Sequence, residues 1–219
     1  MSIDFDGVRI CGVADHLGDV SVKWPMLDLT VFASGMVNGV SLADAMEVAI
    51  NAWNDVCGVR IRMSTNRNTA NLVVGVGRMD GPGNVLAQNE LPVGFFGPQN
   101  VRQLQGLYDE SENVVLAENP PQGKLDLGRI STHELGHFLG IGHITEGNLM
   151  AAMYSSRIRL PQNGDILEAR ARYGSPGPIA PPPTPTVPVA SNGFTLSAME
   201  AVDAAGKRYR TELNWRPVA

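Results

Sequence analysis

The 219-residue sequence predicts an α+β fold with about three helices, and two kinds of pattern lead to this prediction. Short apolar or alternating segments, typical of strands, are interspersed with longer segments that carry apolar residues at helical spacing. No apolar run approaches the ~18 residues that a membrane-spanning helix needs. The 17 basic and 22 acidic residues give a net charge of −5, which argues against binding to nucleic acid. Two cysteines exclude a disulfide-rich scaffold and paired CxxC zinc motifs.

The first half of the chain contains three predicted strands and one predicted helix. LDLTVFA, VRIRM and NLVVGVG have the apolar content of strands. SLADAMEVAINAWNDV is an amphipathic helix that begins at Ser41, with Asp44 three residues on. The residues of this helix that we expect to face a sheet are Leu42, Met46, Ala49 and Trp53. Residues 80–123 are rich in Gly, Pro, Asn and Gln and predict long loops around one or two short strands.

The second half contains two predicted helices and an unusual tail. One helix runs through LGRISTHELGHFLG with Asp126 as its N-cap, and the last covers residues 164–173 and ends at Gly174. Residues 175–193 form a proline-rich linker, and residues 194–219 are a short segment that allows a hairpin about residues 204–207. We therefore divide the chain into residues 1–20, a main domain at 21–174, the linker and the C-terminal segment.

Three of the four histidines fall within eleven residues, in the segment HELGHFLGIGH from His133 to His143. Residues four apart lie one helical turn apart, so His133 and His137 can present their imidazoles to one metal ion. Glu134 then lies beside the metal, where it can take a proton from water. Gly140 lets the chain leave the helix and bring His143 round as a third ligand. Three protein ligands leave a fourth tetrahedral position for water, as in catalytic zinc sites.

The alternative is an amphipathic helix that carries histidines by chance. Five positions at fixed spacing argue against it, because this is the metzincin form of the motif. Metzincins also have a tight turn that bears a methionine beneath the zinc. Met150, seven residues after His143, stands where this methionine is expected, and Met153 is the second candidate. The alternative role for both is that of core methionines.

The chain resembles the matrixins, which are the matrix metalloproteinases and their microbial relatives, from about Cys11 to Gly174. KWPMLDLTV and AINAWNDVCGVRI are similar to the first strand, first helix and second strand of a matrixin catalytic domain. DGPGNVLAQ is similar to the Asp-Gly-Pro-Gly segment of the family, and LPQNGDILEARARYG to its closing helix. The resemblance implies a metzincin (zincin-like) catalytic fold with a mixed twisted sheet, and a zinc-dependent metalloendopeptidase.

The resemblance also implies a structural calcium ion. In matrixins an Asp-Gly-Pro-Gly loop and an acidic segment of the form F-D-x-x-E wrap one Ca²⁺, for which oxygen ligands are suited. The matching groups here are the Asp80 side chain, the carbonyls of Gly81, Gly83 and Val85, and the side chains of Asp109 and Glu112. A solvated acidic loop is the alternative.

Two departures from the matrixin pattern affect the number of zinc ions. The family holds a second, structural zinc with three histidines and an aspartate, but Gln88 and Leu107 stand at matching positions, and the loop before Asp80 is shortened. Only His16 remains outside the catalytic motif. We therefore expect one zinc ion, the catalytic one.

RICGVADH near the N-terminus resembles the matrixin cysteine switch, PRCGVPD, in which a pro-segment cysteine occupies the fourth zinc position and keeps the enzyme latent. A thiolate is a strong zinc ligand, so Cys11 is chemically suited to this role. The arginine stands one place early at Arg9, Ala14 replaces the proline, and the pro-segment is much shorter than is typical. The alternatives are a free thiol and a disulfide with Cys57.

In the expected mechanism Glu134 accepts a proton from water and delivers it to the leaving amine. The substrate is expected to lie extended along a strand edge, held by main-chain bonds to Val85, Leu86, Ala87 and Gln88. The resemblance implies a preference for a bulky apolar residue after the cut, with the pocket wall around residues 150–160. Ala151 and Ala152 stand where a proline usually follows the methionine turn, which leaves the shape of this pocket open.

Two alternative interpretations come from other classes. A non-catalytic zinc-bearing module would grip a peptide without cutting it, but such a binder has no need of Glu134. In an astacin-like or serralysin-like metzincin a tyrosine just after the turn assists the zinc, but Tyr154 is four residues past Met150, farther than that role expects.

The sequence gives opposing indications of where the protein acts. The family habit and the use of calcium indicate an extracellular protein with protein or peptide substrates, whereas no secretory signal is seen in the sequence as given. We expect a monomer with no nucleic-acid partner and no transmembrane segment.

Overall fold

The computed structural model describes residues 22–92 and 103–177, together with the backbone of two strands at 198–202 and 208–212. The chain divides into two compact units, Met1–Pro178 and Ile179–Ala219. The predicted switch residue Cys11, like His16, lies outside the described residues. None of the described helices is long and apolar enough to cross a bilayer.

The described part of the first unit contains nine strands and three α-helices. In chain order they are β1 (Asp28–Ala33), β2 (Met36–Val37), β3 (Val40–Ser41), α1 (Leu42–Asn54), β4 (Arg60–Met63), β5 (Leu72–Gly77), β6 (Ala87–Asn89), β7 (Leu104–Asp109), β8 (Val114–Val115), β9 (Leu125–Asp126), α2 (Leu127–Phe138) and α3 (Asn163–Tyr173).

Five of these strands form one mixed sheet in the order β4-β1-β5-β7-β6. The first four are parallel, and β6 runs antiparallel to β7, with Ala87 opposite Tyr108 and Asn89 opposite Gly106. Strand β6 therefore forms one edge of the sheet in the described part of the chain. The predicted α+β fold with a mixed sheet and three helices is confirmed.

Each helix begins at a polar residue that caps it. Ser41 accepts a hydrogen bond from Asp44 N at 3.3 Å at the start of α1, and Asp126 accepts one from Gly128 N at 3.0 Å at the start of α2. Helix α3 begins with a capping box between Gln162 and Asp165. These starts agree with the sequence prediction for α1 and α2.

One prediction about the sheet is wrong. Residues 80–123 contain more than one or two short strands, because β6, β7 and β8 all lie there and β7 is a six-residue strand paired on both sides. Its sequence, LQGLYD, contains no β-branched residue and has glycine at its third position. Pairing with β5 and β6, rather than local propensity, makes this segment a strand.

Aromatic side chains tie helix α2 to the rest of the unit. Trp53 on α1 donates its indole N–H to the carbonyl of Thr132 at 2.8 Å, and Trp24 donates to that of Phe138 at 2.7 Å. The Tyr173 hydroxyl on α3 donates to the carbonyl of Leu139 at 2.8 Å. All three aromatic residues are buried, so each combines a large apolar contact with a satisfied polar atom. Helix α2 is thus held in a fixed position.

In the second unit β10 (Ala198–Val202) pairs antiparallel with β11 (Arg208–Glu212), with Ala198 opposite Glu212. The predicted turn at residues 204–207 and the proline-rich linker lie outside the described residues, apart from the first positions of the linker.

Candidate metal centre

Helix α2 places His133 and His137 one turn apart, and both side chains are fully buried. The imidazole centroids lie 4.8 Å apart for His133 and His137, and those two rings lie 5.5 and 5.0 Å from the ring of His143. Each histidine offers one ring nitrogen, and these atoms all lie within 4.8 Å of one another. The structure therefore brings the three predicted ligands together.

Hydrogen bonds determine which nitrogen of two of these rings carries the proton. Nδ1 of His133 lies 2.8 Å from the carbonyl oxygen of Leu149, and Nδ1 of His137 lies 2.8 Å from that of Ile141. A carbonyl only accepts, so Nδ1 donates in both cases and Nε2 of each neutral ring bears a lone pair. The two Nε2 atoms lie 3.1 Å apart. Two lone pairs at this distance repel each other unless they share a cation, so the pair fits a metal ion.

Burial keeps both rings neutral. Desolvation lowers the pKa of His133 well below its usual value and that of His137 to about 3. The neighbouring histidines add to this effect, because a second positive charge close by disfavours protonation. Neutral imidazole is the form that binds zinc.

Gly140 allows the chain to turn back towards the metal site after α2. Its φ of +83° lies in the left-handed region, and a Cβ there would overlap the carbonyl oxygen of Val22. The helix ends here because Gly140 N donates to His137 O at 2.8 Å and Ile141 N donates to Gly136 O at 3.0 Å. Glycine at this position is required both by the backbone conformation and by the available space.

Glu134, beside the first histidine, is fully buried. Neither of its carboxylate oxygens accepts a hydrogen bond of normal geometry from the described residues. Burial raises the pKa of Glu134 well above its usual value, and the nearby backbone N–H of Asn89 opposes that rise. A carboxyl that is not committed to a structural bond is suited to exchange a proton with a water or a substrate.

Met150 packs directly against the backbone of α2 at Gly136. It is fully buried, and a Cβ on Gly136 would overlap its sulfur and lie 2.8 Å from a ring carbon of Trp53. Met153, the second candidate for this position, is 43% exposed. The structure therefore places Met150 against α2 at Gly136, whereas Met153 is partly exposed, and this favours Met150 for the methionine turn.

Asp165 on α3 holds the turn that carries Met150, and the sequence analysis missed it. Its buried carboxylate accepts hydrogen bonds from Leu149 N at 2.8 Å, Met150 N at 2.9 Å and Gln162 N at 2.6 Å. The carbonyl of Leu149 in turn orients the ring of His133. The only sequence signal was an acidic residue three places after a helix start, which indicates a cap and not a support for a metal site.

Comparison with known proteins now adds a decisive observation. The matrixin model of the Peptidase M10 family matches residues 32–174, which include the whole histidine motif and the turn with Met150. The chain belongs to the matrixin family.

Individual relatives agree with this assignment. Stromelysin-3 of Homo sapiens is 27% identical over 203 residues, covering 81% of this chain and 39% of the relative. The hatching enzyme of Paracentrotus lividus is 29% identical over 183 residues, covering 75% of this chain and 29% of the relative. Metalloendoproteinase 1 of Glycine max is 28% identical over 148 residues, covering 59% of this chain and 45% of the relative. The chain thus spans less than half of the length of each. Membership of the matrixin family implies zinc, and the three histidines can bind it.

The residues that the matrixin pattern assigns to calcium lie near one another. The Asp109 carboxylate accepts from Asp80 N at 3.2 Å and Gly81 N at 3.1 Å, and that of Glu112 accepts from Gly83 N at 2.8 Å. Among the described residues, only the three histidines gather as a group of metal-ligand atoms within 4.8 Å. The carboxylates of this loop are therefore adjacent but do not converge on one point.

Glu112 has one carboxylate oxygen that no described residue satisfies. Its Oε2 is buried and accepts no hydrogen bond from the part of the chain that the structure describes. Burial raises the pKa of Glu112 to about 7, against the effect of the Gly83 N–H, and the negative charges of Asp109 and Asp80 raise it further. An unsatisfied oxygen in a negative environment fits a cation.

The segment predicted to bind the substrate, residues 85–88, shares only Ala87 and Gln88 with the edge strand β6. The strand begins at Ala87, which is buried, and the side chain of Gln88 is exposed. Val85 precedes the strand, and its N–H points to the Asp80 carboxylate at 3.2 Å. Leu86, also before the strand, accepts a hydrogen bond from Asp109 N at 3.1 Å.

Tyr154, the residue on which the astacin-like alternative depends, interacts far from the metal ligands. Its hydroxyl accepts a hydrogen bond from Asp126 N at 3.0 Å, at the start of α2. The seven residues from there to His133 span about 10 Å of helix. Arg129 also lies over the Tyr154 ring, with its guanidinium carbon 4.3 Å from the ring centroid. This position does not support a role for Tyr154 at the metal.

Cys57 is a free, buried thiol. It donates to the carbonyl of Trp53 at 3.3 Å, and burial raises its pKa. Among the described residues Cys57 thus has no disulfide partner, and its pairing with Cys11 stays an untested alternative. The proposed switch residue Cys11 itself lies outside the described residues.

Proposed function

We propose that this matrixin is a zinc-dependent endopeptidase that hydrolyses protein or peptide substrates. The observation that carries the proposal is the pair of Nε2 lone pairs of His133 and His137, 3.1 Å apart, beside the carboxyl of Glu134. A structural zinc site uses four protein ligands, whereas three histidines leave a position for a reactant. A buried carboxyl without a hydrogen-bond partner among the described residues, next in the sequence to a ligand of a three-ligand site, is suited to proton transfer.

We assign each residue of the site a separate role in hydrolysis. His133, His137 and His143 would hold the ion, and zinc there supplies a Lewis acid that polarises a carbonyl and lowers the pKa of water to about 7. The carbonyls of Leu149 and Ile141 fix the orientation of two of the rings. Glu134 accepts a proton from the attacking water and donates it to the leaving amine.

The substrate is proposed to lie extended along β6, as an added strand. This strand is at the edge of the described sheet, so its outer backbone groups are available for main-chain hydrogen bonds. The side chain after the cut bond is proposed to enter a pocket bounded by residues 150–160, and the family habit favours a bulky apolar residue there. Ala151 and Ala152 replace the usual proline in that wall.

A mixed peptide library tests the activity and the pocket together. The full chain and its Cys11→Ser variant are incubated with the library, with and without a zinc chelator, and cleavage sites are identified by mass spectrometry. We expect internal cleavages that the chelator abolishes and added zinc restores. Peptides that are bound but never cut would reject the proposal and favour the non-catalytic zinc-bearing module.

We also propose that the loop of Asp80, Asp109 and Glu112 binds one structural Ca²⁺. The unsatisfied oxygen of Glu112 and the two adjacent carboxylates support this, since calcium binds oxygen ligands with flexible geometry. Calcium added to the zinc-loaded chain should raise its melting temperature, and Glu112→Gln should abolish the rise. The matched control is Glu110→Gln, an exposed acid paired with Arg78. A melting temperature that does not respond to calcium would indicate a solvated acidic loop.

We further propose that Cys11 keeps the chain latent as a fourth zinc ligand, in the manner of a zymogen. The three histidines would leave the fourth position of a zinc ion open, and a thiolate is a strong zinc ligand, which supports this proposal. Cys11→Ser should raise the activity of the intact chain. Activity equal to that of the unchanged chain would reject the switch.

An extracellular role, including action on extracellular matrix, is proposed from the family habit, with the protein acting as a monomer. Secretion and the mass in solution can be measured directly, by detection of the protein outside expressing cells and by light scattering. Retention inside cells or a dimeric mass would contradict the respective part of this proposal.

A further inference from the structure

Asn89 is a buried polar residue for which the mechanism above has no use. It is the last residue of β6 and is 1% exposed. Burying an amide away from water costs free energy unless the amide is hydrogen-bonded, so an edge strand gains nothing from such a side chain by itself. Among the described residues, the side chain of Asn89 makes one hydrogen bond, and its acceptor lies on helix α2.

The side-chain Nδ2 of Asn89 donates to the backbone carbonyl of Glu134 at 3.1 Å. A carbonyl inside a helix accepts a bond from the N–H four residues on, and its second lone pair remains available. The bond from Asn89 therefore adds to the helix without disturbing it. It connects the strand along which the substrate is proposed to lie with the residue that carries the base.

The strand next to β6 is shaped to admit this side chain. Gly106 on β7 lies directly opposite Asn89 in the antiparallel pair. A Cβ at Gly106 would overlap Oδ1 of Asn89 and lie 2.7 Å from a methyl carbon of Val74. Gly106 is not among the residues with positive φ, so the backbone conformation does not require glycine there. The limited space requires glycine, because the side-chain amide of Asn89 occupies the place that a Cβ at position 106 would take.

We propose that Asn89 is a positioning residue for peptide cleavage, which rests on the endopeptidase function proposed above. By bonding to the backbone of Glu134, it sets the distance between the substrate strand and the base. A substrate that pairs with β6 takes its position from that strand. The hydrogen bond between Asn89 and Glu134 therefore fixes where the scissile carbonyl of the substrate lies relative to the Glu134 carboxyl. A misplacement of about 1 Å at this point can cost about 100-fold in rate.

This role predicts an effect on turnover rather than on binding. The main-chain groups of β6 that face the substrate remain when the side chain of Asn89 is changed, so KM should stay within about twofold of its original value. The separation of base and substrate changes, so kcat should fall by about tenfold or more. A residue that only fills space would affect stability and leave kcat unaltered.

Two variants remove or displace the hydrogen bond between Asn89 and Glu134 in different ways. Asn89→Leu keeps a side chain of similar size and branching but removes the donor. Gly106→Ala keeps Asn89 but displaces its amide from the space it occupies. The matched control is Asn54→Ala, which removes another side-chain amide that links a helix to a strand, through bonds to Ile61 N at 2.8 Å and Ile61 O at 2.9 Å.

The four proteins are assayed as full chains, and in the Cys11→Ser form, on one peptide taken from the library. We measure kcat, KM, bound zinc and the free energy of unfolding. We expect Asn89→Leu and Gly106→Ala to lower kcat by about tenfold or more with zinc retained, and Asn54→Ala to lower stability only. Wild-type kcat in Asn89→Leu, or in Gly106→Ala if the first variant does not fold, would overturn the inference and leave the endopeptidase function intact. Absence of cleavage by the Cys11→Ser chain that carries no other change would overturn both.

Discussion

The carbonyl oxygens of Leu149 and Ile141 govern the chemistry of the site, although neither would bind the metal. Each accepts a hydrogen bond from an Nδ1 atom and thereby leaves a lone pair on the Nε2 atom of the same ring. One carbonyl lies four residues from its histidine and the other lies sixteen residues away. The sequence predicts the ligands from their spacing, but the partner that orients each ring depends on how the turns fold.

Asp165 gives a prediction at the same scale. Its two oxygens accept three backbone N–H bonds in a buried position, and asparagine can supply only one accepting oxygen. Asp165→Asn should leave buried N–H groups unsatisfied, at about 1–3 kcal/mol each. We therefore expect the free energy of unfolding to fall by about 3 kcal/mol in denaturant titrations of the zinc-loaded chain.

The control for this variant is Asp28→Asn, at an exposed position at the start of β1. It should change the stability by no more than about 0.5 kcal/mol. Equal stability of the Asp165→Asn variant and the control would show that Asp165 does not hold the turn beneath the histidines.

At the scale of elements, α2 both carries two of the proposed metal ligands and packs closely against Met150 and Trp53. His133 and His137 present their rings to the site, and Gly136, adjacent to His137 in the sequence, allows Met150 and Trp53 to approach the backbone. Position 136 therefore holds glycine, although alanine would favour the helix more. Glycine inside a helix costs about 1 kcal/mol relative to alanine, and here it is retained because the space is needed.

Gly136→Ala tests this packing. The alanine should gain helix propensity but overlap the sulfur of Met150, so we expect a net loss of about 1–3 kcal/mol in unfolding free energy. The comparison is Gly128→Ala in the same helix. Its Cβ would lie 2.9 Å from the end of the Arg159 side chain, 3.1 Å from Leu116 and 3.2 Å from Asp126, which are looser contacts than the overlap at Gly136.

We expect Gly128→Ala to lose less unfolding free energy than Gly136→Ala, as measured in denaturant. If the two alanine variants had the same stability, the close approach of Met150 to α2 would have no energetic importance. The account of the methionine turn as a support for the histidines would then lose its basis.

Local signals predict the helices well and the sheet less well. The caps Ser41 and Asp126 are adjacent to the helices they begin, so the sequence shows them directly. Strand β7 has no such signal, because its glycine at position 106 serves a neighbour and not the strand itself. Pairing over more than thirty residues, as between Leu72 and Leu104, decides its conformation. Such contacts cannot be inferred from a single segment.

At the scale of the whole molecule, the site is assembled from distant parts of the chain. The histidine motif is local and was predicted residue by residue. Asn89 reaches Glu134 from 45 positions away, and Asp165 supports the turn from α3. Both act through bonds to backbone atoms, and such bonds leave no characteristic pattern of residue types. The sequence therefore predicts the ligands and the base but not the residues that position them.

Metal removal gives a prediction for the molecule as a whole. Zinc held by the three histidines would join α2 to the segment that carries His143. A ligand present at a thousand times its dissociation constant stabilises a fold by about 4 kcal/mol. Chelation should therefore lower the melting temperature, and added zinc should restore it. Magnesium should not, because it prefers oxygen ligands. An unaltered melting temperature after complete metal removal would contradict this.

The most direct test of the central claim is the activity of Glu134→Gln, which keeps the size of the side chain but cannot take up a proton. We expect kcat/KM for the library peptide to fall by about 10²- to 10⁴-fold, because general acid–base catalysis contributes about that much. The variant should retain one zinc ion per chain, measured by elemental analysis. With both proteins in the Cys11→Ser form and zinc bound, cleavage within tenfold of the chain that keeps Glu134 would contradict the assignment of Glu134 as the base.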